Sequence, residues 1–176
     1  MFKKISFFIL IIFIFSPCFV HAEEESNKID KELFNIMYRG FKTVESFGHI
    51  GVHFENDEDA KKIGLKQDEL VDFLRLRFKN NFGKIDYKET NPLKIKSEKE
   101  REKIGTLHCR VWVIGNDYPI AHHIKCFAGN YNNLQIWENE FLGYGKPSNV
   151  PDTVRNTLNK AVEDCAVVFF KARGEL

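Results

Sequence analysis

The stretch LHCRVWVIGNDYPIAHHIKCFA, residues 107–128, decides the fold because it contains two apolar runs separated by a compact turn. The turn contains four residues of the types that reverse a chain, namely Gly115, Asn116, Asp117 and Pro119. Two alternating runs on either side of such a turn predict a β-hairpin.

The register of this hairpin assigns each side chain to one of two faces. With Gly115 opposite Ile120, counting outward predicts three pairs, which are Val113 with His122, Val111 with Ile124 and Cys109 with Cys126. One face is then almost wholly apolar and contains Leu107, Cys109, Val111, Val113, Ile124, Cys126 and Ala128. The other face is mixed and carries His108, Arg110, Trp112, His123 and Lys125. We expect the apolar face in the core and the mixed face partly open.

The N-terminus predicts export. Lys3 and Lys4 precede an apolar run over residues 5–15, and residues 20–22 offer small or apolar side chains at the positions that a signal peptidase reads. We therefore expect a signal peptide over residues 1–22 that is cleaved after Ala22. The mature protein would then be periplasmic or secreted.

Two other interpretations of the N-terminus are weaker. A membrane anchor needs about 20 apolar residues, which is more than this run supplies, so we expect no membrane span in the mature protein. A lipoprotein would use Cys18, but Pro17 stands where a small residue should precede a lipidated cysteine.

The length and the charge of the mature chain limit its domain organisation and its possible partners. Removing residues 1–22 from the 176 leaves 154, which fits a flexible tail over 23–29 and one domain over 30–176. The removal also lowers the 26 basic residues by two, to 24, against 25 acidic ones, which gives a formal charge of −1. A near-neutral chain gives no electrostatic reason to expect a nucleic-acid partner.

The remaining segments alternate between helical and strand patterns. Helices are predicted over 30–42, over 57–63 before Gly64, from Asp68 to the stop at Gly83, and from Asn149 or Asp152 to Gly174. Strands are predicted over 50–55, over 84–88 near a sheet edge, and from residue 134 to the glycine-rich 143–145. The charged segment 94–103 is typical of a solvated loop or a frayed helix, with a contact surface as the alternative, and we expect the loop because its charges nearly cancel. The predicted fold is α+β, a two-layer sandwich of a mainly antiparallel sheet of about five strands with amphipathic helices on one face.

Three cysteines would remain in an oxidising compartment. Cys109 and Cys126 are opposite each other in the predicted register, at a separation that permits a disulfide. The alternatives are that both are small buried residues, or that one of them reaches Cys165 on the last helix.

The histidines and carboxylates are candidate catalytic or metal-binding groups. His49 and His53 lie about 13 Å apart on one strand, too far apart for one ion. His108 and His123 share the mixed face, where Glu138 or Glu140 from the next strand would have to complete a zinc or hydrolase site. No nucleophile motif or cofactor motif is present, so we assign no catalytic, metal-binding or cofactor-binding residue and expect no cofactor.

The mixed face also suggests an interaction surface. Its candidate residues are Arg110, Trp112, His123 and Trp137. An exposed aromatic strip for a peptide or a sugar would use Trp112, Phe127, Trp137 and Phe141, although the same aromatics could instead form a second small core.

Two segments carry a resemblance. GHIGVHFENDEDAKKIGLKQDELVDFLRLRFKN (48–80) and LQIWENEFLGYG (134–145), with the hairpin and the C-terminal amphipathic helix, are similar to small, signal-bearing bacterial envelope or secreted proteins of uncharacterised function. They also loosely resemble envelope accessory lipoproteins that have a helix-on-sheet domain. Lys66 departs from the threonine cap expected after Gly64 and Leu65. The resemblance implies a fold and a compartment, not an activity.

Two functions from different classes follow. The first is an exported, non-enzymatic protein that binds a protein partner in the envelope in a structural or accessory role. The alternative is a small envelope hydrolase or metal-dependent enzyme that uses His108, His123 and the Glu138 and Glu140 pair. An exposed apolar patch would favour the first, and a pocket that gathers His108, His123 and Glu138 would favour the second.

Overall fold

The computed structural model describes residues 30–115 and 117–176. The chain divides into two compact units, residues 1–37 and residues 38–176. In the first unit, residues 30–37 form helix α1. The predicted signal peptide, its cleavage site, the tail over 23–29 and the turn residue Asn116 lie outside the described residues.

The predicted helix over 30–42 is too long. Helix α1 ends at residue 37, and Arg39–Thr43 form a separate 3-10 helix. Gly40 lies within this second helix, and a Cβ added there would lie 2.5 Å from Ile136 Cδ1. Glycine at position 40 thus leaves room for the Ile136 side chain, although it is a poor residue for continuing an α-helix.

The second unit contains one five-stranded sheet. Its strands are β1 (Ser46–Phe54), β2 (Asp86–Tyr87), β3 (Ile104–Ile114), β4 (Ile120–Asn130) and β5 (Trp137–Gly145). They lie in the order β2-β1-β3-β4-β5. The β3-β4 and β4-β5 pairs are antiparallel, whereas β1 is parallel to both β2 and β3. The α+β class is confirmed, but the sheet is mixed because β1 joins the hairpin through a crossover rather than a turn.

The hairpin has the predicted register. Val113 pairs with His122, Val111 with Ile124 and Cys109 with Cys126. All seven residues of the predicted apolar face are fully buried. The residues that alternate with them, from Thr106 to Ile114 on β3 and from Ala121 to Phe127 on β4, lie on the opposite side of the sheet, which we call the outer face.

The described part of the second unit also contains helices. They are α2 (Asp57–Lys62), α3 (Gln67–Phe82), α4 (Glu98–Glu102) and α5 (Val150–Arg173). Helices α3 and α5 contact each other, and both place aromatic rings against Phe47 of β1, at 4.7 Å for Phe78 and 5.8 Å for Phe169. The two long helices therefore pack on the same side of β1.

Glycines end the predicted helices where expected. Gly64, Gly83 and Gly174 follow α2, α3 and α5 with φ angles of +81°, +53° and +72°, which favour glycine. The segment expected as a loop contains the short helix α4, whose first turn is capped by Ser97 Oγ accepting from the Glu100 amide. No helix among the described residues is long and apolar enough to cross a bilayer.

Candidate functional site on the outer face of the sheet

Two histidines meet on the outer face. His49 of β1 and His108 of β3 lie on neighbouring parallel strands, with His49 Nε2 3.3 Å from His108 Nδ1. Their rings are nearly parallel, at 22°, and the His108 ring also contacts Phe127 at 5.2 Å between centroids. Gly51 leaves room for this histidine pair, because a Cβ at that position would lie 2.8 Å from His49 Nε2.

The histidine pair is uncharged at neutral pH. Burial, the neighbouring His49 and the positive charge of Arg110 lower the pKa of His108 to about 4. Burial also lowers the pKa of His49. In a neutral pair one imidazole donates the shared hydrogen bond and the other accepts it. The two outward nitrogens, His49 Nδ1 and His108 Nε2, then present one donor and one acceptor in either tautomeric arrangement.

An open cavity of about 470 Å³ lies beside the pair. It is lined by His49, Thr90, Pro92, Thr106, His108, Phe127, Tyr131 and Leu134. Tyr131 Oη donates to the Thr90 carbonyl at 2.8 Å, and burial raises the pKa of Tyr131, so this phenol stays protonated. We call this space the histidine cavity.

Thr106 is the least satisfied polar group of the histidine cavity. The residue is only 4% exposed, and its Oγ1 has no hydrogen-bond partner among the described residues. A buried hydroxyl without a partner is costly, on the order of 1–3 kcal/mol. Thr106 Oγ1 is therefore a hydroxyl in the cavity wall whose hydrogen-bonding capacity is not used by the described residues.

The groups of the predicted zinc or hydrolase site do not assemble. His123 Nε2 contacts Glu140 Oε1, and Glu138 pairs instead with Lys125 at 3.1 Å. His108 belongs to the histidine pair, opposite Phe127 and four residues along β4 from His123. Within 30–115 and 117–176, no group of three or more His, Cys, Asp or Glu side chains could hold a metal ion.

Three of the four predicted interaction residues share the outer face. Arg110 lies 3.6 Å from Glu55, Trp112 is 46% exposed, and His123 is opposite Trp112. Trp137 does not belong to this surface, because it pairs with Ala128 on the buried face and is only 6% exposed.

The predicted aromatic strip does not form either. Phe141 is opposite Ile124, so it lies with Trp137 on the buried side, whereas Trp112 and Phe127 lie on the outer face. The alternation along β5 thus separates these aromatics into two pairs on opposite sides of the sheet.

An exposed apolar patch occupies the turn end of the outer face. It consists of Trp112, Ile114, Leu142 and Tyr144. Leu142 and Tyr144 are the most open, at 83% and 80% exposure, and they stand opposite His123 and Ala121 of β4. The four side chains therefore flank the same stretch of β4 on its two neighbouring strands.

The cysteines are placed as the register predicts. Cys109 and Cys126 are directly opposite, with a Cα separation of 4.0 Å and their sulfurs at disulfide distance. Cys165 is free and fully buried on α5, and burial raises the pKa of its thiol.

The histidine cavity was not predicted from the sequence. The sequence pattern relates His49 only to His53 on the same strand, and it gives no indication that β1 pairs with β3. The available signals were the outward position of His49 on a predicted strand and the glycine at position 51. Neither identifies the neighbouring strand.

The similarity of the chain to known proteins is slight. No family model matches the sequence, and no curated protein matches it. Among solved structures, the chain is similar to a PelC dodecamer from Paraburkholderia phytofirmans, with a TM-score of 0.44 and 8% identity. The matched region covers 69% of this chain and 87% of that one.

Proposed function

We propose that this chain is an exported, non-enzymatic protein that binds a protein partner in the bacterial envelope through the apolar patch on the outer face. The observation that carries the proposal is the exposure of Trp112, Ile114, Leu142 and Tyr144 on β3 and β5, the two strands that flank β4. Large apolar side chains grouped on a protein surface are typical of interaction sites.

The surroundings of the patch support a protein partner. Charged groups lie next to it, including the Lys125–Glu138 ion pair and the contact between His123 and Glu140. An apolar centre with a polar rim is the usual anatomy of a protein interface, and tryptophan and tyrosine are enriched there. We further infer the two-layer sandwich, in which α3 and α5 cover one face and leave the other available for binding.

The compartment is part of the same proposal. We propose cleavage after Ala22 and a periplasmic or secreted mature protein, on the strength of the Lys3-Lys4 start, the apolar run and the residues before the cut. The Cys109–Cys126 pair supports an oxidising compartment, because cytosolic thiols are normally kept reduced. Mass spectrometry of the mature protein should find Glu23 at its N-terminus. An intact Met1 or a lipid on Cys18 would contradict cleavage after Ala22.

No specific observation favours the hydrolase alternative. His108 is paired with His49, and Glu138 with Lys125, so neither is positioned to act with His123. General acid–base catalysis requires the groups to be within hydrogen-bond reach of one another or of a shared substrate atom.

Affinity capture from envelope fractions under mild extraction tests the proposed function. The wild-type chain should retain a specific partner, and Trp112→Asp or Leu142→Asp should lose it because each places a charge in the apolar patch. Val167→Asp is the matched control, since Val167 is 54% exposed on α5, away from the outer face. Equal recovery with all three variants would show that the patch is not the interface.

A further inference from the structure

We infer that the histidine cavity binds a small, uncharged and largely apolar molecule that carries a hydroxyl group. This site is separate from the apolar patch, since it is formed by residues from β1, β3, β4 and the segments around Thr90 and Leu134. The inference goes beyond the proposed function, which concerns a protein partner.

The size and lining of the cavity indicate the body of the ligand. A volume of about 470 Å³ lies within the range of small-molecule sites, roughly 300 to 1,000 Å³. Phe127, Leu134 and Pro92 give it an apolar wall, and the described residues that line it include no Asp, Glu, Lys or Arg. Such a wall favours an apolar ligand and provides no opposite charge for an ionic one.

The unsatisfied hydroxyl indicates the polar group of the ligand. Thr106 lines the cavity and is only 4% exposed. Its Oγ1 has no hydrogen-bond partner among the described residues. A ligand hydroxyl can both donate to and accept from Thr106 Oγ1, which would satisfy this group without introducing a charge. A purely apolar ligand would leave it unsatisfied.

The histidine pair favours the same chemistry. His49 and His108 hydrogen-bond to each other, so one outward imidazole nitrogen is a donor and the other an acceptor. Exchange of tautomers reverses these roles while keeping the pair neutral. A hydroxyl suits either arrangement, whereas a carboxylate could pair only with donors.

The experiment compares two probes of similar shape, 2-naphthol and 2-methylnaphthalene, in which a methyl group replaces the hydroxyl. Binding to the purified full chain is measured by fluorescence titration in detergent-free buffer. We expect saturable one-to-one binding with about tenfold tighter binding of 2-naphthol, which corresponds to one net hydrogen bond.

Substitutions test whether the two probes bind in the histidine cavity. Thr106→Val keeps the side-chain shape and should bring the two probes within about twofold of each other, whereas Thr106→Ser should retain the preference. Leu134→Trp fills the mouth of the cavity and should weaken both probes at least about tenfold. Leu76→Trp is the matched control, because Leu76 is the same residue type, is 55% exposed on α3 and does not line the cavity, and it should bind both probes like the wild type.

Four outcomes would overturn the inference. These are no saturable binding of either probe, equal affinity for both probes in the wild type, and equal weakening by Leu134→Trp and Leu76→Trp, which would show that the probes do not bind in the histidine cavity. The fourth is binding that requires added Zn²⁺ and disappears with a chelator, because the histidine pair would then be a metal site. Thermal unfolding of each variant identifies loss of binding caused by misfolding.

Discussion

Two histidines, one on each face of the sheet, pack closely against neighbouring residues. His122, on the buried face, is 4% exposed, and its Nδ1 has no hydrogen-bond partner among the described residues. Its ring packs over Gly143, which is opposite it on β5. On the outer face, His108 packs against His49 and Phe127 in the same close manner.

Gly143→Ala is expected to destabilise the protein by about 1–3 kcal/mol. The added methyl would lie 2.6 Å from His122 Nε2, so the buried ring would have to move. Gly145→Ala is the matched control on the same strand, where the nearest atom is 3.6 Å away, and it should change the free energy of unfolding by no more than about 0.5 kcal/mol. Chemical denaturation measures both. His122→Ala should remove most of the difference between them, and equal costs in the presence of His122 would contradict the packing argument.

His108 should make stability fall in mild acid. Its pKa is lowered to about 4 in the folded protein, mainly by burial, and is about 6.5 when unfolded, so the unfolded chain binds the proton first as pH falls. The stabilisation is therefore present above pH 6.5 and is lost towards pH 4. We expect a loss of about 2 kcal/mol, allowing for the solvent at the open cavity.

Denaturation curves between pH 7.5 and 4 check this expectation. His108→Gln removes the titrating imidazole and should flatten the pH dependence in part, because the pKa values of His49 and His122 are also lowered by burial. An unchanged slope in His108→Gln would show that His108 is not responsible.

At the scale of elements, the β3-β4 hairpin is the most constrained part of the sheet. It has ten ordered pairs from Gly105 opposite Asn130 to Ile114 opposite Ala121, and the two cysteines join its middle. This covalent link lies on the buried face under the helices.

Reduction of the Cys109–Cys126 pair should lower the free energy of unfolding by about 3 kcal/mol, because opening a loop of 17 residues increases the entropy of the unfolded chain. Denaturation with and without a reductant measures this loss. Cys165→Ala is the control and should show the same effect of reductant. Non-reducing peptide mapping should recover a linked peptide with Cys109 and Cys126, and a link to Cys165 would contradict the pairing.

At the scale of the whole molecule, one aromatic cluster holds the 38–176 unit together. The Phe169 ring of α5 lies 5.3 Å from Phe41, 5.8 Å from Phe47 and 5.3 Å from Phe82. These partners belong to the 3-10 helix, β1 and α3. Phe169 therefore connects α5 to three elements from much earlier in the sequence.

Phe169→Ala should cost about 3–5 kcal/mol, since it leaves a cavity among these rings. Val167→Ala, at a 54% exposed position two residues earlier on α5, should change stability by no more than about 0.5 kcal/mol. Thermal and chemical unfolding compare the two variants. A cost below about 1 kcal/mol for Phe169→Ala would show that the cluster contributes little to stability.

The sequence by itself determined the elements whose contacts are local. Alternation along residues 107–128 predicted the hairpin register, its two faces and the opposition of Cys109 and Cys126, because the turn fixes the pairing of the strands that it joins. Helical spacing and the stop at Gly83 predicted α3 in the same way. Strand alternation and helical spacing repeat within a few residues, so they can be recognised without knowing which residues lie nearby in the folded protein.

Only the tertiary structure decided which strands lie side by side. His49 and His108 are 59 positions apart and meet because β1 pairs with β3 in parallel, a contact that leaves no periodic signature in the chain. The same arrangement placed Thr106 at the cavity wall, while the β4-β5 register turned Trp137 into the core. Strand order depends on how the helices α3 and α5 pack across the sheet, and burial of their apolar faces specifies that packing only in three dimensions.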